Sequence, residues 1–185
     1  MIKHTLLSLA LMSTLLFQGC SDSDEKQEKQ TLKQEQGFIL QTSDNTQLTL
    51  KKTAHGFLLK EQPNKLLLLD IFATWCPPCQ ASASHLSALE KKFGDAIKIV
   101  GISIEAGLPH EQLINFANQN HATYTLSTAQ QTRKLLDTIA QELHLGNSFG
   151  IPLLAIYKDG KLVKFYQGAI EEEFLQSDIK SILGK

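Results

Sequence analysis

Residues 72 to 80 read FATWCPPCQ, so Cys76 and Cys79 stand two residues apart, directly after the apolar run KLLLLDI. Cysteines at this spacing have three chemistries open to them: half of a zinc site, a structural staple, or a dithiol that passes two electrons as it opens and closes. Zinc needs about four ligands, and the chain offers no second Cys/His pair of suitable spacing. A staple across so small a loop would constrain little of the unfolded chain. Redox exchange is the strongest of the three readings.

The flanking text says what holds the pair. KLLLLDIFA is apolar on both faces, as expected of a central strand covered by helices on two sides. PPCQASASHLSALEKKFG opens with proline, repeats apolar residues near helical spacing at Leu86, Leu89 and Phe93, and closes on Gly94, which predicts a helix. Cys76 is thus placed at the carboxyl end of a strand and the amino end of a helix, where unpaired N–H groups and the helix dipole favour an anion. A thiolate is such an anion, and this placement can lower a thiol pKa from ~8.5 to ~3.5–7.5. Cys76 is therefore expected to be the exposed, attacking thiol, and Cys79, one turn further on, the one that resolves a mixed disulfide.

IKIVGISI reads as a second buried strand, parallel to the first through a right-handed βαβ unit. Before the first strand, Phe38 to Lys60 alternates apolar and polar residues in short pieces separated by turn signals, predicting two or three mostly antiparallel strands. HEQLINFANQN predicts a helix, ATYTLS a short extended piece, and AQQTRKLLDTIAQELHLG an amphipathic helix ending at Gly146. IPLLAIYKDGKLVKFYQG predicts two strands joined at KDGK, and IEEEFLQSDIKSIL a closing helix with acids in its first turn. There is no internal repeat.

The chain has 185 residues, 42% of them apolar, and a formal charge of −1, enough for one good core. Nothing in that charge balance gives a footprint for nucleic acid, and that function class is set aside. The opening MIKHTLLSLALMSTLLFQGC has a short polar start and an apolar stretch too short to span ~30 Å of hydrocarbon, which predicts a signal peptide over residues 1–19. Its ending, LFQGC, resembles the lipobox of bacterial lipoproteins; Gly19 and Cys20 fit, while Phe17 and Gln18 depart from the usual pattern. That resemblance implies lipidation at Cys20. Residues 20–36 carry almost no apolar side chains after Cys20 and read as a solvated tether, leaving 37–185 as the folded domain.

FATWCPPC after a buried strand, with GIPLLAIYKDGKLV far downstream, resembles the thioredoxin superfamily. Within it the chain is similar to the membrane-anchored TlpA/ResA-like thiol–disulfide oxidoreductases, a group that includes the CcmG-type proteins of cytochrome c maturation. The resemblance runs from about Phe38 to the end. It implies an α/β, thioredoxin-like three-layer α/β/α fold whose central mixed sheet carries extra N-terminal strands and an inserted helix. It further implies that Cys76 and Cys79 form a redox-active disulfide, with no other cofactor and no metal. Ile151-Pro152 becomes the cis-proline loop that packs on that disulfide, and Trp75, Pro77, Pro78, Ile151 and Pro152 become the surface on which a client docks. Asp70 takes the place of the buried acid used in proton transfer. An acid ending LLLLD would be desolvated and its pKa raised, making it a base for the Cys79 thiol.

ResA-like proteins place a glutamate just beyond the second cysteine, where this chain reads CQASAS. Glu105 follows the strand parallel to LLLLDIF, ends at the same sheet edge, and is either a replacement for that glutamate or a solvated loop acid. His55, His85, His110, His121 and His144 share no spacing and read as surface residues. The implied function is an exported, periplasm-facing, lipid-anchored dithiol reductase. It would take electrons from a membrane thiol transporter and reduce disulfides in exported proteins such as apocytochrome c. The alternatives are a dithiol oxidase and, from another class, a copper-handling Sco-like module, for which the cysteine spacing is one residue short.

Overall fold

The computed structural model of the chain describes residues 37–146 and 149–185; the expected signal peptide, Cys20 and the polar tether lie outside the described residues. Three short strands open it: β1 (Gly37–Thr42), β2 (Gln47–Thr53) and β3 (Gly56–Leu59). They pair antiparallel in sequence order. β4 (Leu66–Phe72) is the strand predicted from KLLLLDIFA, and all seven of its residues are buried. It leads into α1 (Pro77–Phe93), then through a single 3-10 turn at Gly94–Ala96 into β5 (Ile97–Ser103). β4 and β5 run parallel, with Leu66 opposite Ile97 and Phe72 opposite Ser103, which completes the expected βαβ unit.

A second βαβ unit follows, made of α2 (His110–Gln119) and β6 (Thr125–Ala129). β6 starts later than ATYTLS suggested. Its ladder begins at Thr125, opposite Val100, and Tyr124 stands just before it with its ring in the core. α3 (Thr132–Glu142), β7 (Leu153–Lys158), β8 (Lys161–Gln167) and α4 (Glu172–Leu183) complete the chain. The β7–β8 turn has Asp159 and Gly160 both at positive φ, 52° and 73°, the conformation that Asp-Gly favours in a two-residue hairpin.

α3 does not reach Gly146. Leu145 N–H donates to the Ala140 carbonyl and His144 N–H to that of Gln141, with His144 itself at φ 54°. This is a Schellman ending with a histidine in the left-handed position. α2 closes in a related way, His121 at φ 53° and Ala122 N–H on Ala117 O. Two of the histidines read as surface residues are thus helix terminators. His110 departs from the expectation: it is half-buried in the first turn of α2, and its Nε2 is enclosed without a hydrogen-bond partner among the described residues.

The eight strands form one sheet in the order β3-β2-β1-β6-β5-β4-β7-β8. Alternation along β4 divides the core. Leu66, Leu68 and Phe72 face the side covered by α1, α2 and α4, among Leu86, Leu89, Phe116, Leu175 and Ile179. Leu67, Leu69 and Ile71 face the other side, with Leu135 and Ile139 of α3 and with Phe38, Leu50 and Phe57 of the first strands. The expected three-layer α/β/α architecture is present, and α2 is the inserted helix. The two outermost strands also touch. Leu162 N–H donates to the His55 carbonyl at 2.9 Å, and Thr53 Oγ1 to that of Gly160 at 2.5 Å. Gly160 permits this approach, since a Cβ there would lie 2.8 Å from Thr53 Cγ2.

Candidate functional site

β4 ends at Phe72, and the chain passes through Ala73, Thr74 and Trp75 to Cys76, which caps α1. Cys76 has extended backbone angles (φ −89°, ψ 108°), and its Sγ accepts the Cys79 N–H at 3.3 Å. Sulfur here does the work usually done by a serine or aspartate oxygen at a helix start, receiving one of the four N–H groups that have no helical partner. Pro77 begins the helix, where its missing N–H costs nothing. Cys76 and Cys79 are joined in a disulfide with Cα atoms 5.3 Å apart.

Both cysteines are only 3% exposed in this oxidised pair, so the expectation that Cys76 stands out to solvent does not hold for it. The sulfurs face the α1 side of the core, and the residues around them meet solvent instead: Trp75 is 64% exposed, and Pro77 and Pro78 are exposed. The Ile151–Pro152 bond is cis, immediately before β7. Pro152 is buried and its carbonyl accepts the Gly168 N–H at 2.8 Å, which leaves Ile151, half-buried, as the member of that pair facing outward. Trp75, Ile151, Ile104, Leu136 and Phe149 line a groove of about 860 Å³ along α3, with Arg133 and Asp137 of that helix also on its wall.

Asp70 is 3% exposed. By the alternation of β4 it shares the face of Leu68 and Phe72, the face that carries Cys79. Burial pushes its pKa up to about 6, opposed by a hydrogen bond from the Tyr124 hydroxyl to Oδ2 at 2.7 Å. Burial and the neighbouring Asp70 in turn hold the Tyr124 hydroxyl well above its ordinary value. Gly101 of β5 makes the pair possible: a Cβ there would come within 3.1 Å of the Tyr124 ring and 2.8 Å of Leu126. Nothing in ATYTLS marked its tyrosine as the partner of Asp70. The available signal was Gly101, a glycine inside a buried strand, which often means close approach of another group.

Glu105 is half-buried rather than a solvated loop acid. Its carboxylate accepts the Thr74 N–H at 2.7 Å and the Thr74 hydroxyl at 3.0 Å. Among the described residues no group of three or more His, Cys, Asp or Glu side chains is gathered in a way that could hold a metal ion.

A buried parallel strand, a helix capped by the first cysteine of a Cys-Pro-Pro-Cys disulfide, and a cis-proline entering the neighbouring strand make up this site. A family model described as thioredoxin-like matches residues 64–160, more than half of the chain. The chain belongs to the thioredoxin-like family. Among thioredoxin-like relatives, it is 27% identical to chloroplastic thioredoxin Y of Oryza sativa subsp. japonica, over 68% of this chain and 55% of that one. It is 26% identical to the thiol-disulfide oxidoreductase ResA of Bacillus thuringiensis (strain Al Hakam), over 80% of this chain and 84% of that one. The chain spans about half the length of the first curated relatives it matches. Among solved structures, an exposed lipoprotein thioredoxin of Streptococcus pneumoniae strain TIGR4 superposes with a TM-score of 0.57 at 22% identity, covering 79% of this chain and 99% of that one. That likeness is one of fold. A thioredoxin-like Cys76–Cys79 pair in this setting is chemically able to exchange thiols for a disulfide.

Proposed function

We propose that the chain is a protein thiol–disulfide oxidoreductase acting outside the cytoplasm as a reductant of disulfides in exported proteins. The observation that carries the thiol–disulfide chemistry is the cap geometry of Cys76. Its sulfur already sits at the helix start, against the Cys79 N–H, where a thiolate would be stabilised on reduction. The reductant direction is supported by the buried acid Asp70 on the face of Cys79, which disfavours further negative charge near the pair. In the reduced protein the Cys76 thiolate attacks one sulfur of the client disulfide, forming a mixed disulfide and expelling the client's other sulfur as a thiolate. Cys79 then loses its proton to Asp70 and attacks the Cys76 sulfur. The second client thiol leaves, the Cys76–Cys79 disulfide closes, and two electrons have passed to the client. A membrane dithiol donor would restore the reduced pair.

Trp75, Pro77, Pro78 and Ile151 form the exposed rim on which the client rests, and Pro152 supports Ile151 from beneath. Apocytochrome c, with its paired haem-binding cysteines, is the favoured client. The leader over residues 1–19, Cys20 and the polar residues after it support attachment to a membrane by a lipid on Cys20, as does the neighbour named a lipoprotein thioredoxin. Two measurements test the reading. Cys79→Ser should trap mixed disulfides through Cys76, and equal trapping by Cys76→Ser would reverse the two roles. The equilibrium potential of the pair against glutathione should be more reducing than about −200 mV; a value near the ~−120 mV of a strong periplasmic oxidant would make the protein a dithiol oxidase instead.

A further inference from the structure

Thr74 lies two residues before Cys76, and every polar atom it has is engaged. Its N–H and hydroxyl both donate to Glu105, and its carbonyl accepts from the Gln80 side chain at 2.7 Å. Glu105 is tied in its own turn: the Ser103 hydroxyl donates to Oε2 at 3.1 Å and accepts the Glu105 N–H at 3.1 Å. Ser103 is fully buried at the end of β5, opposite Phe72. The parallel register therefore sets Thr74 and Glu105 side by side, each two residues beyond the last pair of the ladder. Ile104 N–H extends that ladder by donating to Phe72 O at 2.9 Å.

We infer that Glu105 is a positioning residue for the redox pair: its carboxylate clamps Thr74 to the end of β5 and so fixes the backbone that presents Cys76 to the helix start. This rests on the oxidoreductase reading. The clamp joins three elements around the pair, β5 through Glu105, the loop through Thr74 and α1 through Gln80. A carboxylate accepting both a backbone N–H and a hydroxyl from one residue removes the rotational freedom that a single bond would leave. The reduced form has more need of this support than the disulfide. Once the S–S bond opens, only the hydrogen bonds of the loop and cap keep the Cys76 sulfur at the helix amides, whereas the covalent link holds the oxidised pair together without them. Loss of the clamp should then shift the thiol–disulfide equilibrium toward the disulfide.

The test uses the full chain carrying Glu105→Ala, Glu105→Gln and, separately, Thr74→Val. The readouts are the equilibrium constant of the pair with glutathione and kcat/KM for reduction of a disulfide-bonded client. Glu105→Ala should move the equilibrium about three- to tenfold toward the disulfide, up to about 30 mV, and lower kcat/KM roughly tenfold. Glu105→Gln keeps an oxygen that accepts the Thr74 N–H and the Ser103 hydroxyl and adds an amide NH2 that can donate to the Thr74 hydroxyl, so it should recover most of both. Thr74→Val removes one of the two bonds and should fall between. Should Glu105→Ala fail to fold, the order wild type, Glu105→Gln, Thr74→Val decides. An equilibrium constant unchanged in Glu105→Ala, or in Thr74→Val when that variant decides, overturns the inference, as does a Glu105→Gln variant displaced as far as Glu105→Ala. The glutathione equilibrium is read without any client, so a wild-type protein that reduces no client would sink the functional reading while leaving this measurement to stand alone.

Discussion

Asp70 carries a carboxyl whose folded pKa, about 6, lies above its ordinary value of 3.8 because burial disfavours the charge. The consequence for stability has a definite sign. Below about pH 3 the group is protonated in both the folded and unfolded chain, and its contribution to stability is complete. As the pH rises toward 6 the unfolded chain ionises first, so stability falls, by an amount on the order of 2–3 kcal/mol, and stays lower above the folded pKa. Asp70→Asn should abolish that fall. The check is denaturant unfolding at intervals between pH 4 and 7.5, and a wild-type curve that rises over this range would contradict the assigned shift. Tyr124→Phe removes the hydrogen bond that pulls the pKa down, so the fall should begin at the same pH but extend to higher pH and grow larger. The burial of Asp70 was legible in LLLLD alone, because an acid at the end of such a run on a covered strand has nowhere wet to go. Its partner was not. Tyr124 is 54 residues away, and only the assembled sheet brings it to Asp70.

At the scale of elements, β5 shows how one strand serves two purposes. Its alternation supplies Ile97 and Ile99 to the α1 side and Val100 and Ile102 to the other, and Gly101 interrupts the series to admit the Tyr124 ring. Gly101→Ala would place a methyl 2.8 Å from Leu126, 3.1 Å from Tyr124 and 3.2 Å from Phe72. We expect a loss of about 1–3 kcal/mol, the usual cost of overpacking, together with a pH-dependent fall extended to higher pH as in Tyr124→Phe because the ring is pushed from Asp70. Chemical unfolding at two pH values tests both, and wild-type stability with an unchanged pH profile would show that the ring has room to spare. Strands buried on both faces and helices with proline and glycine at their ends could be placed from the text, since their signals are local. The end of α3 could not. Gly146 was the obvious terminator, but the carbonyls of Ala140 and Gln141 are satisfied earlier by Leu145 and His144. A left-handed histidine is rare enough that sequence reasoning does not choose it. β6 was misplaced for a related reason: its limits come from its ladders with β5 and β1, and ATYTLS does not contain them.

For the whole molecule, the proposed division into a lipid-bearing cysteine, a tether and a redox domain makes a separable prediction. In membrane fractionation the full chain should sediment with membranes, and Cys20→Ala should release it into the soluble fraction with its thiol chemistry intact; retention on membranes would end the lipid-anchor reading. The domain itself is closed in a way that motif reading did not reveal. Two or three opening strands were expected, but not that they would pair beyond β6 and then meet β8 at the far edge. Strand order depends on long-range pairing that no short window of sequence contains. The contact between Thr53 and Gly160 spans 107 positions of chain. Closing so long a loop has a high entropic cost and gains little until the strands between are already paired. That junction should therefore be the last to zip when the domain folds and the first to part when it breathes. In a hydrogen-exchange measurement the amide of Leu162, bonded across it to His55, should then act as a built-in clock for that partial opening, exchanging sooner than the amides of β4 at the centre of the same sheet.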